Sequence, residues 1–445
     1  MPGDLELATL FFLQVAVILA AAHGLGAVFR RIGQPEVVAH MFAGMLLGAS
    51  GLGWVLPGAA EALFPATVVL DGGAEAAHPS RSILYTVAQL AVALYMFCVG
   101  MNFDAGVLRR HARESAAVAA TGFAVPVLAG AVLGLALVGD GRLFASDAAP
   151  WQVALFVAAA TSVAALPVLA RIIEESGLSG GRAGTIALGG AVVDDVVAWL
   201  LLAVTVAGYR GDPLSAAVTA AGTLLYVAAV VLLGRPLLRR IARSPAGGGE
   251  RAGSTVAVLA LLMLGAWFTE WIAIYAVFGA FLLGLAMPRG AFADRLRARI
   301  EPVTVSLLLP VFFCSAGLDI RLALLGGPGL VAITAAVAAV AFASKAGACT
   351  AASRLAGASW PDAAGLGVLM NARGLTGLVL IGIGLKEGLL TGTGYTVLAV
   401  TILLTTVAVA PGRALVHRLA RRRPGPRTEG APERVPAAED GRPSG

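Results

Sequence analysis

The sequence predicts an all-α polytopic membrane protein of about thirteen transmembrane helices, and three observations carry that prediction. The first is composition. Of 445 residues, 58% are hydrophobic before any of the 56 glycines is counted, and only 13% are charged. Soluble domains carry roughly 25% charged residues, so this chain has too little polar side chain to cover a water-facing surface. A soluble enzyme, a disordered chain and a coiled coil are excluded on that ground. The second is that the apolar residues fall into runs of about 20, the length that crosses a bilayer as a helix. The third is that the basic residues sit in short loops between those runs, far more of them on one side than on the other.

Taken in order, the runs cover 7–29, 37–56, 82–101, 115–138, 151–173, 185–207, 214–234, 254–270, 272–287, 303–319, 329–353, 363–386 and 395–417. The first has no basic stretch before it and no small-residue cleavage site after it, so it reads as a span and not a secretory signal. The eighth and ninth nearly touch. Thr269-Glu270-Trp271, polar with an interfacial aromatic, divides them into two spans. With loops alternating sides, 22 basic residues fall on one face, from Arg30 and Arg31 to Arg421, Arg422 and Arg423. The other face has five: Arg81, Arg142, Arg210, Arg321 and Lys386. The positive-inside rule places the N-terminus outside and the C-terminus in the cytoplasm of a plasma-membrane protein. A sequence pI near 9.6 therefore reports topology and not nucleic-acid binding. Residues 1–420 read as one transmembrane domain. The Pro-, Gly- and charge-rich stretch 421–445 reads as a disordered cytoplasmic tail with no soluble regulatory domain. Cys98, Cys314 and Cys349 lie far apart in apolar runs and read as small core residues.

A few polar residues remain at mid-span, where an ionisable group costs at least about 2.5–3.5 kcal/mol. Asp194 and Asp195 lie in the sixth run (GGAVVDDVVAW), Lys345 in the eleventh, and Asn371 and Arg373 in the twelfth. Adjacent aspartates on a helix point about 100° apart, so one can face a partner helix while the other faces a cavity. A nearby lysine would hold one as a carboxylate. Two acids and a cation with protons to trade are what a cation/proton exchanger needs. A structural ion pair is the bland alternative.

Two runs are also interrupted. TSVAALPV (Thr161–Val168) carries polar residues and Pro167 at mid-depth, where proline removes a backbone hydrogen bond and opens the preceding turn. MNARGLTG (Met370–Gly377) is polar and glycine-punctuated, with Asn371 and Gly374 at the break. Broken helices at corresponding places in two halves mark a transporter site, where freed carbonyls can ligand a cation. Arg373 would offset the negative half-helix ends. If runs 1–6 and 8–13 are repeats joined by the seventh, the fifth matches the twelfth. The offset of seven is odd, so two six-helix repeats are inverted in the membrane.

These residues also carry a resemblance. GGAVVDDVVAW, IGQPEVVAHMFAGMLLGASGLG (Ile32–Gly53), TSVAALPVLARIIEE (Thr161–Glu175), LLPVFFCSAGLDI (Leu308–Ile320) and NARGLTGLVL resemble the monovalent cation:proton antiporters of the second antiporter family, including Kef-type and plant cation/H⁺ exchangers. The resemblance runs from about residue 7 to 417. It implies a homodimer of thirteen-helix protomers, each with a dimerisation domain and a mobile core of crossed, discontinuous helices, working by an elevator form of alternating access. It implies that Asp195 is the main cation and proton carboxylate, that Asp194 pairs with Lys345, and that Thr161 and Ser162 line the site. No cofactor is implied, only transported Na⁺ or K⁺ and H⁺. The Asp-Asp-Lys set also implies electrogenic exchange. The chain departs from Kef-type members, which have a large nucleotide-binding domain and in many cases Gln-Asp for Asp-Asp, and so favours exchange tuned by pH over gated potassium efflux. His23 and His40 read as packed or hydrogen-bonded residues and not as pH sensors.

Other classes fit less well. An intramembrane aspartyl protease needs acids facing each other from separate helices. A sodium-coupled symporter of the same broken-helix architecture would not need Lys345. A passive channel would not need exchangeable acid–base groups.

Overall fold

The computed structural model describes residues 3–69, 75–103, 106, 110–210, 213–243 and 250–422. The tail from 423, expected to be disordered, lies outside the described residues. Within them, each of the thirteen apolar runs is helical. Eleven stretches are long and apolar enough to cross a membrane, and two shorter apolar helices complete the set. The protein is a multi-pass membrane protein.

Span 1 is α1 (Asp4–Arg31), with acids in its first turn and arginines in its last, matching the helix dipole. Span 2 is α2 (Glu36–Leu47), followed by the short α3 (Leu52–Val55) and α4 (Pro57–Leu63). One departure from an all-helical chain follows, a small antiparallel hairpin of β1 (Thr67–Val69) and β2 (Glu75–Ala77) with Thr67 opposite Ala77. Span 3 is α5 (Pro79–Asn102) and span 4 is α6 (Ala112–Leu137). Span 5 is split into α7 (Pro150–Ser162) and α8 (Leu166–Glu175), and span 6 is α9 (Arg182–Arg210). Span 7 begins as α10 (Pro213–Ala229) and passes through a π-turn into α11 (Arg235–Arg243), which carries it past the expected end at 234.

Spans 8 and 9 are α12 (Glu250–Trp271) and α13 (Ala276–Ala286). The expected break between them is sharp: Ala273 and Tyr275 both adopt positive φ, and Glu270 accepts the Ala276 N–H at 2.9 Å. Span 10 is α15 (Leu309–Leu318), entered from the charged α14 (Ala291–Val303) through a π-turn. Span 11 is α16 (Pro328–Leu355). Span 12 is split into α17 (Trp360–Leu369) and α18 (Leu375–Lys386), and span 13 is α19 (Gly392–Val407) continuing as α20 (Val409–Arg422). Side-chain caps start several of these helices. Ser359 accepts the Asp362 N–H at 3.3 Å, and Thr391 accepts the Gly394 N–H at 3.0 Å.

The spans pack as two bundles. One joins spans 1–3 to 8–10, with α2 and α5 against α15, and α5 against α13. The other joins spans 4–6 to 11–13, with α6 between α7 and α16, and α16 against α17 and α19. Each bundle thus takes three consecutive spans from each half of the chain. In the first, Gly44 and Gly317 let α2 and α15 touch backbone to backbone; a Cβ on either would lie inside contact distance of the other helix's main chain.

Contacts between loops bear out the alternation of sides. On the expected outer face Arg81 pairs with Asp319, and Thr391 donates its N–H to the Leu143 carbonyl at 3.0 Å. On the other face Arg182 holds Glu114, Arg171 holds Glu36 and Glu175, and Arg413 donates to Ser176. The three cysteines are free and buried. Of the two histidines, His23 departs from the expected packing and His40 is packed. His23 is exposed on α1, where the apolar surface turns outward. His40 lies beside Phe313, and its Nδ1 finds no hydrogen-bond partner among the described residues.

Candidate functional site

The site is built where spans 5 and 12 cross. After Ser162 the chain is extended through Val163–Ala165 and becomes helical again at Leu166. Pro167 is therefore the second residue of α8, not the opener of a kink in a continuous helix. The first N–H groups of a helix have no partner inside it, so proline is tolerated there. The break lies just before it. In span 12 the gap runs from Met370 to Gly374. Asn371 donates from Nδ2 to the Gly367 carbonyl at 3.0 Å, satisfying one orphan of the α17 C-terminus. The Ala165 N–H donates to the Ala372 carbonyl at 3.0 Å and ties the two breaks together. Gly374 has an extended backbone open to any residue. Its role is space, since a Cβ there would come 3.3 Å from Val168 Cβ and still closer to its methyl group.

The two broken spans run antiparallel. Residues 143–145, which lead into α7, are hydrogen-bonded to 389–391, which follow α18. This is the arrangement that inverted repeats require.

A helix that stops inside a membrane leaves carbonyls bare and a partial negative charge at its C-terminus. At the end of α7 two cations answer both. Arg373 donates from Nη1 to the Ala160 carbonyl at 3.3 Å and from Nη2 to Ala341 in α16 at 3.1 Å. Lys345, from α16, donates to the Ser162 carbonyl at 2.5 Å and forms an ion pair with Asp194 on α9. Lys345 and Arg373 are completely buried, as is Asp194. Carbonyls expected to be free for a cation are thus in part taken by the protein's own cations.

Asp195 is also buried, at 3% exposure, yet neither carboxylate oxygen has a hydrogen-bond partner among the described residues. The second oxygen of Asp194 is likewise unpartnered. The backbone N–H of Leu166, at the N-terminal end of α8, is the main-chain donor that bears on Asp195. The two aspartates therefore differ in surroundings although adjacent in sequence: one is tied to a lysine, the other is held between apolar helices with its valence open. Ser162 donates its hydroxyl to Ala159 at 3.2 Å and stays beside Lys345 through its carbonyl. Thr161 donates to Val157 at 2.7 Å, and its hydroxyl lies against Gly130 of α6.

Thr406, which nothing in the sequence marks, clamps the second break. Its hydroxyl accepts from the Arg373 N–H at 2.9 Å and lies 2.8 Å from the Arg373 carbonyl. A threonine in an apolar span normally satisfies itself on its own helix, so only the crossing reveals this role. Tyr95 donates to Glu174 at 2.9 Å, a bridge between the two bundles that the sequence also leaves unmarked.

Cavities open among the spans on both faces. One, of about 510 Å³, opens on the face of Arg81 and Lys386 between α5, α15 and α18. Another, also of about 510 Å³, is edged by Glu36, Arg171, Glu175 and Arg413 on the opposite face. Neither is lined by Asp194 or Asp195.

Crossed broken helices with buried acids and cations at their centre define an integral-membrane carrier of the inverted-repeat type. The chain belongs to the transmembrane sodium/hydrogen exchanger family, whose model matches residues 16–412. It is 32% identical over 412 residues to the Na⁺/H⁺ antiporter NhaS4 of Synechocystis, covering 92% of this chain and 97% of that one. It is 30% identical to cation/H⁺ antiporter 20 of Arabidopsis thaliana and 27% identical to K⁺/H⁺ antiporter 1 of Saccharomyces cerevisiae, spanning about half the length of each (49% and 46%) and 93% and 92% of itself. The sodium–proton antiporter MjNhaP1 of Methanocaldococcus jannaschii, at 13% identity, shares the fold with a TM-score of 0.62 over 94% of this chain and 99% of that one.

Proposed function

We propose that the protein exchanges a monovalent cation, Na⁺ or K⁺, for H⁺ by alternating access, with Asp195 as the carboxylate that takes cation and proton in turn. The observation that carries this reading is the Asp195 side chain, buried with both oxygens unpartnered beside an Asp194–Lys345 pair. An ionised carboxylate cannot rest there uncompensated. A proton or a monovalent cation on it compensates the carboxylate, and the two loads leave the site with the same net charge. Exchange through Asp195 alone would then move one charge each way. A further proton from Lys345 would make the cycle electrogenic, and lysine, unlike arginine, can release one. The relatives named for Na⁺ and for K⁺ exchange support either ion.

In this reading the bundle of spans 4–6 and 11–13 moves against the bundle of spans 1–3 and 8–10. The latter forms the homodimer contact in a plasma membrane, with the N-terminus outside and the C-terminus cytoplasmic. The test is proton flux in reconstituted vesicles, titrated with Li⁺, Na⁺, K⁺ and Rb⁺ at several pH values. Asp195→Asn abolishes cation-dependent flux while the protein still folds; flux at the wild-type level would sink the assignment.

A further inference from the structure

Between spans 8 and 9 the backbone is strained. Tyr275 adopts φ 75° and ψ 145°, an outlier for a bulky side chain in a region that glycine fills. Ala273, two residues earlier, also has positive φ, at 59°. Such a turn persists only where its surroundings hold it. Here the Ile274 N–H donates to the Thr269 carbonyl at 2.9 Å, and Ile272 and Ile274 are buried. Glu270 accepts the Ala276 N–H at 2.9 Å and the Tyr85 hydroxyl at 3.4 Å. Glycine would take this backbone freely. What tyrosine adds at the position is its ring.

That ring reaches out of its own bundle. It stacks on Trp199 of α9, with centroids 4.3 Å apart and planes 18° apart, and so joins the bundle of spans 1–3 and 8–10 to the bundle of spans 4–6 and 11–13. Trp199 is 3% exposed. It follows Asp195 by four residues on one unbroken helix, which puts it on nearly the same side of α9 and about 6 Å further toward the Arg210 end. Tyr275 also lines the cavity that opens on the face of Arg81 and Lys386. From the cavity to Tyr275, to Trp199 and to Asp195, each step is a direct contact or a single helical turn.

We propose that Trp199 and Tyr275 form the gate between this cavity and Asp195. Stacked, they keep solvent and cations off the carboxylate; when the two bundles move, the rings part and the carboxylate is reached from that face. A flat aromatic pair suits a contact that must open and close. Stacking favours the closed arrangement, yet parting two rings strands no buried charge, as breaking an ion pair there would. The proposal rests on the reading of Asp195 as the carrier carboxylate.

The test is the rate at which Asp195→Cys reacts with a small charged methanethiosulfonate in the full-length protein in lipid nanodiscs, read at each cysteine by mass spectrometry. Native Cys98 and Cys349, both buried, serve as internal controls. Gly382→Cys, in the cavity wall, reacts fast whether or not the rings are present. Trp199→Ala or Tyr275→Ala is expected to raise the Asp195→Cys rate roughly threefold to tenfold, the worth of one aromatic stack. Tyr275→Phe keeps the ring and leaves the rate at that of the parent. Tyr275→Gly removes the ring while relieving the backbone, so it gives the same rise with a fold at least as stable as that of Tyr275→Ala. Equal rates with and without the rings would overturn the proposal, as would a rise that Cys98 and Cys349 share. Labelling reads access alone. A gate that fails this test leaves flux through Asp195 standing, whereas wild-type flux in Asp195→Asn removes the carrier role and leaves the labelling rates as they are.

Discussion

Replacing Lys345 by methionine tests the centre of the site most directly. The side chain stays long and unbranched and loses its charge, leaving Asp194 buried with neither oxygen paired to lysine. Breaking a buried pair by removing one partner costs about 3–5 kcal/mol. A second route to the figure agrees. If Asp194 escapes by taking a proton, a carboxyl of ordinary pKa near 3.9 must be protonated at pH 7, at about 4 kcal/mol. The Ser162 carbonyl, which accepts from Lys345 at 2.5 Å, also loses its donor, adding about 1–2 kcal/mol unless Arg373 shifts to serve it. The single variant should therefore lose about 4–6 kcal/mol against unfolding, measured by denaturant titration in detergent. The sign with pH follows: each unit of acidification makes the neutral carboxyl about 1.4 kcal/mol easier to reach, so the deficit shrinks from pH 7 toward pH 5. Adding Asp194→Asn removes the stranded charge and should recover most of the loss. A double variant as unstable as the sum of its single changes, or a Lys345→Met deficit that does not change with pH, would refute the argument.

The other predictions concern the frame and the carrier. Asp195→Asn should leave stability equal to or above the parent, because an unpartnered buried carboxylate is replaced by a neutral amide, while cation-dependent flux is lost; a marked loss of stability would mean that Asp195 has a structural partner. Gly374→Ala pushes a methyl into Val168 and should separate the two breaks, costing about 1–3 kcal/mol and most of the flux. A variant with normal flux and stability would show that the crossing has room to spare. Gly44→Val in the other bundle should destabilise the protein without changing which cation the surviving molecules prefer, checked by ion competition in vesicles. Its cost should be several kcal/mol, because the obstacle is the Cys314 backbone and not a mobile side chain.

The thirteen spans, the division of the eighth from the ninth and the anomalous charges were all legible in the chain, because each depends on local hydropathy or on single residues that a bilayer tolerates only for a reason, although Thr269–Trp271 stay helical and the break falls at residues 272–275. Other features were legible in kind but not in place. Pro167 announced a break, yet a proline fits a helix interior badly and its first turn well, and only packing decides which it occupies. Thr161 and Ser162 were marked as polar and mid-membrane. Tertiary contact turned the Thr161 hydroxyl toward Gly130 and left the Ser162 carbonyl, not its hydroxyl, beside Lys345. Thr406 and Tyr95 could not have been found, since an isolated Thr or Tyr in a span looks the same whether or not a distant helix uses it.

By itself, then, the sequence determined the solvent this protein lives in, the apolar runs that cross it, and which acids and cations had no topological use. Hydrophobic length and charge asymmetry are summed along the chain and need no partner to be read. What the tertiary structure decided is the division of labour among those residues. Asp194 and Asp195 are chemically identical neighbours, and the 100° between them sends one to Lys345 and leaves the other buried with neither oxygen hydrogen-bonded among the described residues. That difference belongs to helices 150 residues apart in the chain, which meet only when it is folded.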